Sequence, residues 1–246
     1  MSPSGEEPTI SCGDCHVREL CLPRGLSQED LTQLDSRVCH RIAQRRDVIY
    51  RAGDPLRFLY VVRSGSVKVA IGDAAGTEQI IGFYLPGELL GLDGLNDHRH
   101  RGTARALETT SICEISFDEL ESLCTKLPSL NRQVERLMSK ELGAEQELML
   151  SLARRGVEQR IVVFLLNLSK RWSQRGFSAT RFTLTMTRDD IASYLGMTGE
   201  TVTRAFVALR NSGLLKVEKK NIQILDLDAL IERSGSAEIY ARVFAR

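Results

Sequence analysis

Residues 128–155 read PSLNRQVERLMSKELGAEQELMLSLARR, and the rest of the chain is arranged around them. Pro128 suits the first turn of a helix, and no Gly follows until Gly143. Val134, Met138, Leu142, Met149 and Leu152 fall three, four or seven residues apart, the spacing of one helix face. Arg132, Glu135, Arg136, Lys140, Glu141 and Glu147 charge the remainder. An apolar stripe this narrow on a helix this long suits a two-helix seam better than a core wall. Glu145 stands where the spacing asks for an apolar side chain. In a symmetric dimer two Glu145 carboxylates approach each other near the axis, which makes the residue a candidate dimer switch. The plainer alternative is an ordinary connecting helix with one acid on the wrong face. The flanks favour the seam: the residues before it read as a sensor, and those after it as a DNA reader.

A length of 246 residues predicts about two domains of roughly 100–150 residues each. No run of 18 apolar residues occurs, so no membrane span is expected. The first residues, MSPSGEEPTIS, lack an apolar signal core, which points to the cytoplasm. The net charge of +1 hides an asymmetry. Residues 1–155 carry 19 Lys/Arg and 23 Asp/Glu, a net of −4; residues 156–246 carry 14 and 9, a net of +5. A basic C-terminal third behind an acidic body fits a nucleic-acid-binding module. No Ser–His–Asp set and no paired acids at catalytic spacing occur, so no enzyme is expected.

Six cysteines are present: Cys12, Cys15, Cys21, Cys39, Cys113 and Cys124. Disulfides are disfavoured in the cytoplasm, so three within ten residues point to metal. Cys12, Cys15 and Cys21 form C-x2-C-x5-C. The short spacing lets two thiolates reach one centre, and the next residues loop back with a third. Thiolate-rich sites select iron–sulfur clusters or zinc. Zinc held by the three cysteines and His16 is a chemically reasonable rival. The string Cys12-Gly13-Asp14-Cys15-His16 also matches c-type haem attachment, but that chemistry belongs across a membrane and leaves Cys21 without a role. Three unrelated thiols in a loose terminus are the bland alternative. An iron–sulfur cluster needs a fourth ligand, and three cysteines remain to supply it.

Residues 27–38 begin with a Ser cap and early acids, so a short helix is expected. From Val48 the pattern changes to short β-rich runs: Val48–Tyr50, Phe58–Val62, Ser66–Ile71, Gln79–Phe83 and Ser111–Ser116. Turns such as Gly53-Asp54, Ser64-Gly65, Gly72-Asp73, Gly76 and Pro86-Gly87 separate them. Such spacing predicts a β-sandwich or jelly roll. Gly53-Asp54-Pro55, Phe58 to Lys68 and Pro86 to Gly91 resemble the cyclic-nucleotide-binding β-roll. Members that bind the nucleotide use a Glu for the ribose hydroxyl and an Arg-Ser pair for the phosphate. Those positions fall here on Leu92 and on His100-Arg101, so no cyclic nucleotide is expected. Arg101 and Arg105 are the cations left near that site.

Residues 157–172, VEQRIVVFLLNLSKRW, read as an apolar core helix. Thr187 with Asp190 resembles a capping box. Gly196 makes a tight turn, Thr198 caps a second helix, and Gly213 stops it. This is a helix-turn-helix. Val202, Phe206 and Leu209 of its second helix face inward, while Glu200, Thr203 and Arg204 share the opposite side. An Arg bonds guanine O6 and N7 together and a carboxylate accepts from cytosine N4, so Arg204 and Glu200 can read one G·C pair of double-stranded DNA. The bland alternative is an exposed Glu–Arg pair at i, i+4. Residues 216–224 follow as a lysine-bearing wing suited to phosphates. Residues 226–246 look like a terminal helical segment.

Together these carriers make nearly the whole chain similar to the FNR branch of the CRP/FNR regulators, the anaerobic transcription factors. They are Cys12, Cys15 and Cys21; Ala106 to Ile115; Arg136-Leu137-Met138-Ser139; Arg175-Gly176-Phe177-Ser178; and Gly199 to Arg204. The resemblance implies an α+β chain: a β-roll, a long dimerisation helix and a C-terminal winged helix-turn-helix. It implies a 4Fe–4S cluster, oxygen-labile, on Cys12, Cys15, Cys21 and Cys113. It also implies a homodimer, a TTGAT-like half-site and contact with RNA polymerase. The divisions expected are 1–26 for the ligand segment, 27–127 for the sensor, 128–155 for the seam and 156–246 for the reader. Three positions depart from the pattern. Thr203 replaces a Ser in E-x-x-S-R, His16 is unusual inside the cysteine loop, and the Gly76-Thr77 turn lacks an acid that some members carry. The rival class is a small-molecule-sensing regulator with structural zinc; an electron-transfer protein has no use for a helix-turn-helix.

Overall fold

The computed structural model describes residues 11–72 and 77–235. Expectations that fall on residues 1–10, 73–76 and 236–246 lie outside the described residues. The chain divides into two compact units, Met1–Ile71 with Phe83–Glu141, and Gly72–Gly82 with Leu142–Arg246.

In the first unit Ser27 caps α1, Gln28–Asp35, by accepting from the Asp30 N–H. The β-roll has two four-stranded sheets. One has the order β1 (Val38–Ala43), β8 (Thr110–Ser116), β3 (Phe58–Ser64), β6 (Leu89–Leu90); the other has β2 (Val48–Tyr50), β7 (Thr103–Ala106), β4 (Val67–Gly72), β5 (Glu78–Tyr84). The five strands expected from sequence are present. β1, β6 and β7 were not expected; β1 pairs antiparallel with β8, about seventy residues away, with His40 opposite Cys113. Helix α2, Phe117–Lys126, was also missed, although Asp118 and Glu119 in its first turn favour the positive end of its dipole.

Helix α3 runs Pro128–Arg154. Its first half has a buried face that the stripe reading overlooked: Leu130, Gln133 and Leu137 are all buried. Leu130 and Leu137 belong with one core that holds Leu22 and Leu26 after the cysteine loop, Leu31 and Leu34 of α1, Leu59 and Val61 of β3, Ile115 of β8, and Leu120 and Leu123 of α2. Cys21 and Cys113 pack against its margin.

The second unit is built on α4, Val157–Ser173, whose Ile161, Val162, Leu165 and Leu166 are fully buried or nearly so. Around it stand α5 (Arg188–Leu195), α6 (Gly199–Asn211), a three-stranded sheet of order β10 (Leu215–Glu218), β11 (Asn221–Ile224), β9 (Arg181–Thr183), and α7 (Leu227–Arg233). The expected punctuation is in place. Thr187 and Asp190 make the capping box, Gly196 closes α5 at φ 62°, Thr198 accepts from the Thr201 N–H, and Gly213 follows α6 at φ 76°. The wing gains a third strand because Phe182 of β9 pairs with Ile222 and buries beside it.

Candidate metal centre and nucleic-acid interface

The loop from Ser11 to Cys21 is held by its own turns. Asp14 N–H donates to Ser11 O, Arg18 N–H to Cys15 O and Cys21 N–H to Arg18 O. Val17 and Leu22 anchor it, each 3 % exposed. Two longer bonds fix its ends. The Cys12 N–H donates to Asp35 Oδ1 at 2.9 Å, and the Gln133 side-chain amide donates to the Cys21 carbonyl at 2.8 Å. Both Asp35 and Gln133 were missed from sequence, because each lies far along the chain from the loop it holds.

Cys12, Cys15, Cys21 and Cys113 line one pocket, closed on its other sides by Val17, Leu22, Leu34, Val38, Val61 and Ile115, with Arg63 beside them. Cys113 lies in the middle of β8. Its Sγ stands 3.5 Å from His40 Nδ1, the neighbour that the β1–β8 register supplies. Burial, then the nearby Arg63 charge, holds His40 below its ordinary value despite Asp35. Burial pushes the Cys12 thiol up to about 12, helped by Asp35, Cys113 and Cys15. Burial pushes Cys113 up to about 11, with Cys15 adding and Arg63 opposing. Cys21 is raised well above the ordinary thiol, again mainly by burial. Among the described residues no three His, Cys, Asp or Glu side chains stand close enough to hold a metal ion, so the thiols share a pocket without being gathered at ligand spacing. The donor set nevertheless fits a cationic iron–sulfur centre. Four thiols line one apolar pocket that disfavours bare thiolates, and a cation would reverse that penalty. Cys39 is exposed and Cys124 is half-buried against the core; neither lines the pocket.

At the position that the resemblance assigns to the phosphate-binding pair, the β-roll packs its own side chains together. His100, 3 % exposed, stacks on Tyr50 with ring centroids 3.8 Å apart. Its Nδ1 lies 3.3 Å from Asp93 Oδ1, and Asp93 Oδ2 accepts from the Arg101 and Gly102 N–H groups at 2.9 Å each. Burial pushes the Asp93 carboxyl up, yet the hydrogen bonds from His100, Gly102 and Arg101 outweigh it and hold it below the ordinary carboxylate value. Arg101 turns its guanidinium to Asp97 at the surface, and Arg105 lies on β7 opposite Lys68 and Val48.

On the second half of α3 the expected stripe is uncovered. Met138 is 41 % exposed, Leu142 56 %, Met149 69 %, and Leu150, beside it, 46 %. Glu145 is exposed in their midst. Tyr84 O–H donates to Glu141 Oε1 at 2.6 Å on the neighbouring turn.

On α6, Glu200, Thr203 and Arg204 are exposed together. Arg204 Nη1 stands 4.0 Å from Glu200 Oε1, and its Nη2 reaches Thr201 Oγ1 at 3.5 Å, a loose arrangement that leaves the guanidinium able to turn outward. Thr203 donates its hydroxyl to the Gly199 carbonyl at 2.9 Å. Val202, Phe206 and Leu209 face the core as expected. Arg188, half-buried with its guanidinium 3.5 Å from the Phe206 ring centroid, backs the helix; burial holds it below the ordinary guanidinium value.

A family model described as a Crp-like helix-turn-helix domain matches residues 159–233, and one described as a cyclic nucleotide-binding domain matches residues 40–126. The chain is 45 % identical over 230 residues to an anaerobic regulatory protein of Pasteurella multocida, covering 93 % of this chain and 84 % of that one. It is 42 % identical over 227 residues to the fumarate and nitrate reduction regulatory protein of Escherichia coli, covering 92 % and 91 %. Among solved structures, FixK2 from Bradyrhizobium japonicum matches with a TM-score of 0.73 and 28 % identity, over 79 % of this chain and 96 % of that one.

Proposed function

From the premise that the chain belongs to the CRP/FNR family, as an FNR-type anaerobic transcription regulator and not an enzyme, we propose that it senses oxygen through a 4Fe–4S cluster held by Cys12, Cys15, Cys21 and Cys113. The observation that carries the reading is the single pocket these four cysteines line, on the margin of the core that also buries the first half of α3. When bound, the cluster supplies an oxygen-labile crosslink between the 12–21 loop and β8. With its cysteines engaged, the loop keeps Leu22 in the core against α1 and α3, and α3 is braced. The stripe of Met138, Leu142 and Met149 then closes on the same stripe of a second copy. With the cysteines released the brace weakens, and the two Glu145 carboxylates tip the chain toward the monomer.

In this reading residues 1–26 carry the ligands, 27–127 the sensor body, 128–155 the seam and 156–246 the reader. A dimer sets two α6 helices into adjacent major grooves of a palindromic, TTGAT-like site in the cytoplasm. Glu200, Thr203 and Arg204 meet the bases, and the regulator contacts RNA polymerase. The filled β-roll interior around Tyr50 and His100 supports regulation without a cyclic nucleotide.

Anaerobic purification tests the centre. Iron and acid-labile sulfide in equal amounts, with a visible absorption band that air bleaches, are the expected result. A colourless protein containing zinc and no sulfide would sink it and favour a small-molecule-sensing regulator with structural zinc on the three loop cysteines and His16.

A further inference from the structure

We propose that Gln133 is the positioning residue that passes the state of the cysteine loop to helix α3; the proposal rests on the reading that Cys12, Cys15, Cys21 and Cys113 hold the cluster. Gln133 lies on the buried face of α3 between Leu130 and Leu137 and is only 4 % exposed. Its amide donates to the backbone carbonyl of Cys21 at 2.8 Å, on the last cysteine of the loop. Leu22, next in the chain, packs in the core that holds Leu130 and Leu137. Those apolar contacts are non-directional and tolerate sliding. The hydrogen bond is directional, so it links one turn of α3 to one position of the loop. A loop that shifts leaves a buried amide without its acceptor, which is costly in an apolar surround. Met138, where the open stripe begins, lies little more than one turn farther along the same helix. The residue thus stands between two sites that must bias each other, the loop and the seam, and such coupling is reciprocal.

The test separates coupling from support. The full-length chain and its Gln133→Met variant, which keeps the side-chain length and loses the donor, are purified without oxygen. Iron and sulfide are assayed, and the dimer dissociation constant is measured by sedimentation for the loaded and the cluster-free forms. The expected result is unchanged iron and sulfide, loaded dimers about fivefold weaker, and cluster-free association unchanged. Equal weakening of both forms would mean that Gln133 only supports the helix. Loss of iron in the variant would mean that it only holds the ligand loop. An unchanged loaded dimer would mean that the bond transmits nothing. Each of these three results overturns the proposal while leaving the cluster assignment intact; a wild-type protein without iron and sulfide removes both. Gln133→Asn, which keeps the amide but withdraws it by one methylene, reads the same ratio should the methionine variant fail to fold.

Discussion

Cys113 is separated from the other cysteines of its pocket by more than ninety residues, and β8 alone carries it there. Cys113→Ser should therefore lose iron and sulfide, while Cys39→Ser, at the surface, and Cys124→Ser, outside the lining of the pocket, should keep them; equal cluster content in all three variants would refute the ligand set. Arg204 is held loosely by Glu200 and Thr201, so it has little to give up on meeting a base. Arg204→Ala should cost about 1–3 kcal/mol at a cognate site and flatten the preference at the guanine, read by titration of cognate and scrambled duplexes. Lys219 occupies the wing turn at φ 56°, a backbone cost that Ala carries as well. Lys219→Ala should thus leave the fold alone, weaken every duplex alike and lower the salt slope by about one. Asp93 sits below its ordinary value in the fold, so the ionised form stabilises the β-roll at neutral pH. That contribution is complete above the unfolded value of about 3.9 and is lost as pH falls through the folded one. Asp93→Asn should lower the urea midpoint at pH 7 by an amount equivalent to about 1–3 kcal/mol, and the gap from wild type should shrink in acid. A gap independent of pH would show that packing, not charge, is what Asp93 supplies.

Among the elements, those with local chemistry were legible and those without it were not. α3, α4 and the helix-turn-helix announced themselves through Pro128, the periodic apolar faces, Thr187 with Asp190, Gly196, Thr198 and Gly213. β1 was invisible because its partner β8 lies about seventy residues on, and its burial alternates poorly. Of the α3 stripe, Met138, Leu142 and Met149 are exposed, whereas Val134 and Leu152 are half-buried. The buried face at Leu130, Gln133 and Leu137 was missed, because a helix that packs on two sides blurs a one-face pattern. The open stripe gives Glu145 its weight. Two carboxylates brought together on closing repel by roughly a kcal/mol at short range, and losing water adds to the cost. Glu145→Ala should then dimerise and bind its DNA in air without a cluster. A monomer by sedimentation at micromolar concentration would mean that Glu145 stays solvated in the dimer.

For the whole molecule, charge and cysteine spacing pointed to a sensor joined to a DNA reader, and the family confirms an anaerobic regulator built that way. Sequence spacing brought Cys12, Cys15 and Cys21 together; the fourth cysteine came from resemblance, because strand pairing is a property of the fold rather than of any window of sequence. The supports Asp35 and Gln133 carried no signal at all, since a side chain that holds a backbone group leaves no pattern along the chain, and His40 reaches Cys113 only through the β1–β8 register. The uncovered stripe has one more consequence. Met138, Leu142 and Met149 would join two chains by hiding apolar surface, and that driving force fades on cooling, whereas the opposition between the Glu145 pair does not fade with it. The same stock of loaded protein should hold fewer dimers near freezing than at room temperature, as sedimentation at the two temperatures will report. On the proposed oxygen-sensing reading, a cell carrying this regulator in the cold would need more of it to give the same answer to the same lack of oxygen, so that temperature would set the gain of the gauge.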